Sequence, residues 1–252
     1  MKFPINLFIA LFITITLFTG VANAGLNEGV SALKTGDYTK ALNELKPLAE
    51  QGNGEAQFLL GFMYYYGNGV VQNKKEAFIW LKKAADQGFA PAQSNLGFMY
   101  YYGDGVVQNK EEAFIWLKKA ADQGLAKAEY NLGNMYENGD GTVQNKQEAL
   151  TWFRKAADQG LAEAEYNMGV IYRDGDGVLQ NKQEALTWFK KAADQGLTVA
   201  QYNLGIMYRD GNGVEKNEQE ALKWFDKAAK TQYSSKEIMA GKQKEKSTDP
   251  KK

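Results

Sequence analysis

The 252-residue sequence contains no cysteine and no histidine. Without cysteine it can form no disulfide, no thiolate nucleophile and no lipid anchor attached through sulfur. Without histidine it lacks the side chain that most often serves as a general base near neutral pH and as a zinc ligand. Carboxylate pairs remain as a catalytic option, but the recurring acidic residues already have capping and helix-end positions. We therefore expect no enzymatic activity and no cofactor.

The sequence also has no excess of charge and no complete metal-binding motif. Its 30 basic residues balance 30 acidic ones, whereas a nucleic-acid-binding protein needs a basic field to neutralise phosphates. The stretch around Asp176-Gly177 resembles part of a calcium loop. However, Tyr172 and Gln183 stand where that loop needs its first carboxylate and its bidentate glutamate. We expect neither nucleic acid nor a metal ion as a partner.

The first 24 residues predict a secretory signal peptide. Lys2 supplies the positive start, residues 7–18 are mostly apolar, and Ala22-Asn23-Ala24 has the small residues of a cleavage site. An uncleaved membrane anchor is the alternative, but the apolar run is shorter than the roughly 20 residues that a spanning helix needs. We expect cleavage after Ala24, a periplasmic or secreted protein, and no stable membrane anchor after cleavage.

The abundant feature of the sequence is a repeat. Tryptophan recurs every 36 residues, at Trp80, Trp116, Trp152, Trp188 and Trp224. Each repeat has two segments with apolar residues at helical spacing, which predicts two amphipathic helices. In the third repeat we expect them over roughly 126–137 and 146–158, with a turn at Gly139-Asp140-Gly141. A constant period of this length predicts a solenoid of helix pairs.

Three further signals recur, two of them in all five repeats and the helix-ending glycine in the first four. An asparagine followed three residues later by a glutamate, as in Asn145 and Glu148, predicts a capping box at the start of the second helix. Gly160 follows Ala-Ala-Asp-Gln and predicts a left-handed residue that ends this helix. Gly133 lies in the middle of the first helix, where we expect it to allow a close helix approach that a Cβ would block.

These signals divide the chain into four parts. Residues 1–24 are the signal peptide, and residues 25–52 form a degenerate N-terminal capping helix pair around Gly36-Asp37. Residues 53–230 contain the five repeats. Residues 231–252 copy the pattern poorly, with Gln232 in place of the expected glycine, and are expected to form a C-terminal cap and a disordered basic tail.

The pattern A-x-A-x-x-x-L-G-x-M-Y-x-x-G-x-G-V-x-x-N-x-x-E-A-x-x-W-x-x-K-A-A occurs five times between residues 54 and 229 with minor substitutions. It resembles the Sel-1-like repeat family, a relative of the tetratricopeptide repeats. The resemblance implies an all-α, right-handed α-solenoid (superhelix) of 36-residue helix-turn-helix repeats that binds other proteins. Exported bacterial members are linked to host interaction, envelope functions and immunity to toxins. Some exported relatives bind or hydrolyse β-lactams, but this chain lacks every cysteine of their disulfide-rich pattern.

Differences between the repeats predict where a partner binds, because positions fixed by packing recur whereas positions facing a partner are free to vary. In the superhelix that this chain resembles, the first helix of each repeat lines the concave face. We expect the partner-binding residues on that face to be Phe62, Tyr65, Asn95, Phe98, Tyr101, Tyr130, Asn131, Asn134, Glu137, Asn167, Arg173, Asn203 and Arg209.

Each group in this set has a structural alternative. Packing between repeats is favoured for the two phenylalanines, and contact with a partner is favoured for Tyr65 and Tyr101. The asparagines either hold the backbone of an extended peptide or bond to local backbone, and the sequence does not separate these two roles. The arginines either form a basic end of the surface or pair with the aspartate that follows each of them, a pair worth less than about 1 kcal/mol.

The sequence therefore predicts an exported, non-enzymatic repeat scaffold that binds a protein or peptide through the concave face. An immunity or inhibitor protein against a toxin is the alternative among binding proteins. A cell-wall or β-lactam hydrolase is the alternative among enzymes. The sequence indicates neither the identity of the partner nor the oligomeric state.

Overall fold

The computed structural model describes residues 24–231. The predicted signal peptide, apart from Ala24, and the predicted C-terminal cap and tail beyond residue 231 lie outside the described residues. The helices are α1 (Ala24–Thr35), α2 (Tyr38–Glu50), α3 (Gly54–Tyr66), α4 (Lys74–Asp86), α5 (Ala90–Tyr102), α6 (Lys110–Asp122), α7 (Ala126–Asn138), α8 (Lys146–Asp158), α9 (Ala162–Asp174), α10 (Lys182–Asp194) and α11 (Thr198–Asp210), followed by α12 over residues 218–231. Between residues 24 and 231 there is no strand, and no helix of that range has the length and apolar character to span a bilayer.

The helices pair as the repeat predicts. Helices α3 and α4 form the first repeat, and each later pair up to α11 and α12 forms another, with α1 and α2 as an additional pair before them. In the third repeat the helices span Ala126–Asn138 and Lys146–Asp158, within one residue of the ranges expected from the sequence. The prediction of an all-α solenoid of 36-residue helix-turn-helix repeats is confirmed.

The chain divides into two compact units. The N-terminal unit extends to Ala128 and includes Asp140–Thr142, and the C-terminal unit comprises Glu129–Gly139 and the residues from Val143 onward. The largest fully buried side chains of the N-terminal unit are aliphatic or methionine, whereas Phe153 and Phe189 are fully buried in the C-terminal unit. Each unit therefore has its own apolar core.

In each of the five repeats the second helix follows an asparagine that also fixes the preceding turn. The side chain of Asn73 accepts a hydrogen bond from the backbone N–H of Glu76 at 3.1 Å, as a capping residue should. The predicted capping box is nevertheless only half formed, because the backbone N–H of Asn73 already donates to the carbonyl of Tyr64 at 2.9 Å. The carboxylate of Glu76 accepts instead from the indole Nε1 of Trp80 at 2.9 Å, and the same indole bond recurs in α10.

The glycine in the middle of each first helix lies against the second helix of the same repeat. A Cβ at Gly97 would lie 2.7 Å from Leu117 Cγ, and a Cβ at Gly169 would lie 2.6 Å from Phe189 Cδ1. Real Cβ atoms essentially never approach other heavy atoms this closely. The predicted close approach is confirmed, and Gly160 has the positive φ of 82° predicted for the end of a second helix.

The side chain that faces this glycine differs between the two units. Leu81 faces the glycine of the first repeat, with Phe78 three residues before it, whereas Phe153 faces the glycine of the third repeat, with Leu150 three residues before it. The phenylalanine and the leucine have thus exchanged places. Because a paired exchange of this kind keeps the total side-chain volume, the helix pair can accept it without a cavity.

A buried amide contributes a polar contact between successive repeats. Gln93 is 5% exposed; its Nε2 donates to the carbonyl of Ala85 at 3.2 Å, and its Oε1 accepts from Gln123 Nε2 at 2.7 Å. The fourth repeat has Glu165 at this position, also 5% exposed, and it accepts from Gln195 Nε2 at 2.7 Å. An ionised carboxylate cannot donate to a carbonyl, so Glu165 reproduces the glutamine pattern only when it is protonated.

We predict that Gly169→Ala destabilises the protein by about 1 to 3 kcal/mol, because the new methyl group must displace the Phe189 ring from a packed core. Urea unfolding followed by circular dichroism measures this loss. Gly54→Ala is the matched control, since it lies at the first residue of α3 and its Cβ would meet only the Gln87 side chain at 3.4 Å; it should be neutral or stabilising. A Gly169→Ala protein as stable as the parent would contradict the close approach.

Burial raises the pKa of Glu165 above its usual value, and the hydrogen bond from Gln195 and the charge of Lys191 offset only part of this rise. Because the folded-state pKa exceeds the unfolded one, stability from the protonated carboxyl is present below the unfolded pKa and is lost as pH rises through the folded pKa. Glu165→Gln should therefore gain about 1 kcal/mol at neutral pH and nothing near about pH 4.

The reverse substitution, Gln201→Glu, provides the control, because Gln201 Nε2 donates to the carbonyl of Ala193 at 3.2 Å. It should lose stability at neutral pH and recover it in acid, as measured by urea unfolding at several pH values. If the difference in unfolding free energy between each variant and the parent does not change with pH, the role assigned to the buried carboxyl is wrong.

Candidate functional site

The candidate functional residues are solvent-facing side chains of α3, α5, α7, α9 and α11, here named the first-helix surface and described separately for each unit. All thirteen residues predicted to bind a partner lie on these helices. They differ widely in exposure and in the contacts that they already make, so they do not form one equivalent set. The predicted placement of this surface on a concave face stays a prediction.

The most exposed aromatic feature of the N-terminal unit is a pair of rings on α5. Phe98 and Tyr102 are one helical turn apart, with ring centroids 4.4 Å from each other and planes at 48°. They are 46% and 61% exposed. Phe98 was among the predicted residues, whereas Tyr102 was missed. The signal for Tyr102 was present in the sequence as the spacing of four residues from Phe98, the spacing at which helical side chains meet.

The equivalent ring pair on α3 is Phe62 and Tyr66, and there the phenylalanine is buried. This corrects the expectation that Phe62 binds a partner. Its ring centroid lies 4.4 Å from that of Tyr66, but Phe62 is only 9% exposed. The difference arises one turn earlier, where Phe58 packs against Phe62 at 6.3 Å and α5 has Ser94 instead. Phe62 is thus a packing residue, the alternative that the sequence favoured.

Tyr65 and Tyr101 hold successive repeats together. The hydroxyl of Tyr65 donates to Asp104 Oδ2 at 2.5 Å, and Lys74 Nζ lies 2.6 Å from the other oxygen of the same aspartate. Tyr101 makes the same bond to Asp140 at 2.5 Å. The preference for partner contact at these two tyrosines is therefore not supported by their hydroxyl groups, which the scaffold already uses.

The electrostatics of this cluster follow from its hydrogen bonds. The bond to Asp140 raises the pKa of Tyr101 to about 12, with smaller contributions from burial and from the negative charge of the aspartate. Hydrogen bonds from Lys110 and then from Tyr101 lower the pKa of Asp140. The aspartate is thus ionised, and the tyrosine is a neutral donor, throughout the physiological range.

In the C-terminal unit the corresponding position is charged. Glu137 is half-buried, and burial, followed by the nearby Asp176, raises its pKa, while Lys146 lowers it. Arg173 donates to both oxygens of Asp174, each at 2.7 Å. Arg209 pairs with the aspartate that follows it at 2.7 and 3.0 Å. The surface ion pairs proposed as the alternative for the arginines are present.

The predicted asparagine ladder is engaged with its own helices at two of its four positions. The Nδ2 groups of Asn95 and Asn203 donate to the backbone carbonyls four residues earlier, each at 2.8 Å. Asn203 Oδ1 also accepts from Arg173 at 3.1 Å. Local backbone bonding, the alternative to peptide binding, thus describes these two residues, and it occupies one of the two amide hydrogens in each.

The remaining predicted residues of the C-terminal unit are half-buried, and they are Tyr130, Asn131, Asn134 and Asn167. The ring of Tyr130 packs on Phe153 with centroids 5.8 Å apart. The backbone carbonyl of Asn134 accepts from the side chain of Asn138 at 2.9 Å. No cluster of three acidic side chains placed to hold a metal ion occurs within residues 24–231. The arrangement thus offers contact surface and hydrogen-bonding groups.

The turn after each of the first four first helices is held by a glutamine. Gln72 Nε2 donates to the carbonyl of Tyr65 at 2.8 Å, and the next three repeats have the same bond at 2.7 to 2.8 Å. The fifth repeat has Lys216 at this position. The first-helix surface is therefore carried on helices whose ends are fixed, except that the last turn lacks this particular bond.

We predict that Tyr101→Phe costs about 1 to 2 kcal/mol, because a partly buried bond to a charged group is lost. The pKa of Asp140 is lowered in the folded state, so this contribution is present above the unfolded pKa and is lost as pH falls through the folded pKa. Urea unfolding at neutral pH and at about pH 3 measures the difference. Tyr102→Phe is the control and should stay within about 0.5 kcal/mol of the parent; equal losses from both substitutions would contradict the assignment.

Comparison with known proteins adds to this geometry. The profile of the family described as Sel1 repeat matches five consecutive segments, residues 54–89, 90–125, 126–161, 162–197 and 198–230. No curated protein sequence matches the chain. Among solved structures, the chain is similar to a Sel1 repeat protein from Oxalobacter formigenes, with 38% identity, a TM-score of 0.78 and 83% of each chain covered.

Two further solved structures are relevant. The chain is 33% identical to c5321, a protective antigen present in uropathogenic Escherichia coli strains that displays an SLR fold, with a TM-score of 0.79 over 91% of this chain and 49% of the antigen. It thus spans about half the length of that antigen. The immunity protein Pa5087 from Pseudomonas aeruginosa is 19% identical, with a TM-score of 0.53 over 86% of this chain and 85% of that protein. This last likeness shows the fold alone.

Proposed function

Because the chain belongs to the Sel1 repeat family, we propose that it is a scaffold that binds a protein or peptide partner through the first-helix surface, with Phe98 and Tyr102 as the anchor. Sel1 repeat proteins typically bind other proteins, and they are generally not enzymes.

The observation that carries the proposal is the exposure of the Phe98–Tyr102 pair. Two neighbouring rings, tilted against each other and 46% and 61% exposed, form an apolar patch on a helix, and burying such a patch against a partner is favourable. Aromatic side chains dominate the hot spots of protein interfaces. Because the helix is already ordered, little conformational entropy opposes binding.

We further propose that the protein acts after export, in the periplasm or outside the cell, as the sequence of residues 1–24 predicts. An immunity or inhibitor role against a toxin remains the more specific prediction within this class. The similarity of this chain to the Pseudomonas immunity protein supports only the fold. The partner therefore has to be identified by experiment. The acidic side chains that give the best-defined contacts serve the scaffold: Glu76 accepts from an indole, Asp104 pairs with a lysine, and Glu165 accepts from a glutamine. They give a hydrolase role no support.

The test is capture of a partner from envelope extract and from culture medium by the chain from residue 25 onward, followed by mass spectrometry. The double variant Phe98→Ala/Tyr102→Ala should keep its helical content and melting temperature but lose capture. Truncation of a hot-spot aromatic costs at least about 2 kcal/mol, or about 30-fold in affinity.

The matched control is Ile79→Ala/Ile115→Ala, which removes two apolar side chains of similar exposure, 47% and 45%, from the second helices. This variant should capture the partner as well as the parent does. If the control loses capture and the aromatic variant retains it, the second-helix surface binds the partner and the proposed site is wrong.

A further inference from the structure

The turn between α11 and α12 contains Asn212-Gly213, at a position that recurs in every repeat. The residue before the glycine is an aspartate in three of the five repeats, at Asp104, Asp140 and Asp176. In the first and fifth repeats it is an asparagine, Asn68 and Asn212. The same structural position therefore holds either a carboxylate or an amide.

Where the position is an aspartate, a lysine pairs with it. Lys74 Nζ lies 2.6 Å from Asp104 Oδ1, and Lys146 Nζ lies 2.6 Å from Asp176 Oδ1. Each lysine is the first residue of the second helix in the preceding repeat. In the last turn the equivalent lysine, Lys182, places its Nζ 3.2 Å from Asn212 Oδ1. In the last turn a neutral amide, that of Asn212, therefore takes the place that an aspartate has beside the lysine in the middle repeats.

From this arrangement we infer that Asn212 is a site of spontaneous deamidation promoted by Lys182. The backbone nitrogen of Gly213, after losing its proton, attacks the side-chain carbon of Asn212. The new C–N bond closes a five-membered succinimide, and the side-chain nitrogen leaves as ammonia. Water then opens the ring to give aspartate or isoaspartate, so the net change is loss of ammonia and gain of water. Water is the only co-reactant.

Lys182 contacts the atom on which charge develops. When the Gly213 nitrogen adds to the amide carbon, negative charge develops on Asn212 Oδ1, and this oxygen accepts from the Lys182 ammonium. A charged donor at that atom stabilises the addition step. Within residues 24–231 the N–H of Gly213 makes no hydrogen bond to a backbone carbonyl, so no backbone bond has to break before the attack.

The first repeat contains a natural control. Asn68-Gly69 occupies the same turn, but Tyr38 stands at the first position of the preceding second helix, where the lysine would be. Both glycines lie against that first residue, since a Cβ at Gly69 would be 2.8 Å from the Tyr38 carbonyl oxygen and a Cβ at Gly213 would be 2.3 Å from that of Lys182. The two sites thus share the dipeptide and its place in the turn. They differ in the ammonium group and in the turn residue that is Gln72 in the first repeat and Lys216 in the fifth, and the Lys182 variants separate these two differences.

Conversion to aspartate would add a negative charge beside Lys182 and create the lysine–aspartate pair that the middle repeats already have. The last turn is the one that lacks the glutamine bond found in the other four. Deamidation would therefore add a lysine–aspartate ion pair to the turn that lacks the glutamine bond. This change would occur after synthesis, at a rate that Lys182 helps to set.

The test is incubation of the purified full chain in mildly alkaline buffer, with deamidation at Asn212 and Asn68 followed in the same sample by peptide mapping. Asn212 should deamidate about threefold to tenfold faster than Asn68. This is below the roughly 100-fold effect of a buried oxyanion donor, because Lys182 is exposed to solvent. Lys182→Met should bring Asn212 to the Asn68 rate and leave Asn68 unchanged, whereas Lys182→Arg should retain most of the difference.

Equal rates at the two asparagines in the unsubstituted chain would overturn the inference. So would an unchanged Asn212 rate in Lys182→Met. If that variant also changes the rate at Asn68, it has altered the fold, and the comparison of the two sites in the unsubstituted chain, together with Lys182→Arg, then decides the outcome.

Discussion

The contact between the mid-helix glycine and the facing side chain of the second helix determines how close the two helices of a repeat can lie. At Gly97 and Gly169 even a methyl group would come within 2.7 Å of the opposite side chain. The helices are therefore held at a distance at which alanines and large apolar residues on both of them are buried. The bond from the Asn73 backbone N–H to the Tyr64 carbonyl joins the two helices of one repeat and therefore depends on this approach. The indole bonds lie within one helix and do not depend on it.

A scaffold fixed in this way separates neighbouring side chains into different roles. Tyr101 and Tyr102 are consecutive, yet the hydroxyl of Tyr101 bonds to an aspartate 39 residues later, while the ring of Tyr102 is mostly exposed beside Phe98. Helical geometry turns successive residues by about 100°, so adjacent positions necessarily face different surroundings. The surface available to a partner is thus what remains after the scaffold has used the tyrosines and arginines that it needs.

The periodic features were predictable from the sequence, because the same local pattern occurs five times. Helix limits, the asparagine caps and the role of Gly133 all followed from spacing and from the conformational properties of single residues. The exposure of Phe98 did not, since it depends on Ser94 replacing Phe58 one turn earlier. Nor did the bond from Tyr65, whose acceptor lies 39 residues away. Such features arise from contacts between repeats, and a pattern within one repeat does not contain them.

The exchange of phenylalanine and leucine on the second helices has a consequence for how the array can change. Phe153 contacts both Gly133 and Tyr130, which belong to its own repeat. A helix taken from the first repeat would bring Leu81 to that place and remove the Phe153 ring on which Tyr130 packs. The complete helix pair is therefore the segment that can be duplicated, deleted or transplanted between the two units with its internal packing intact. Recombination inside a pair would combine a first helix from one unit with a second helix whose leucine and phenylalanine are in exchanged positions.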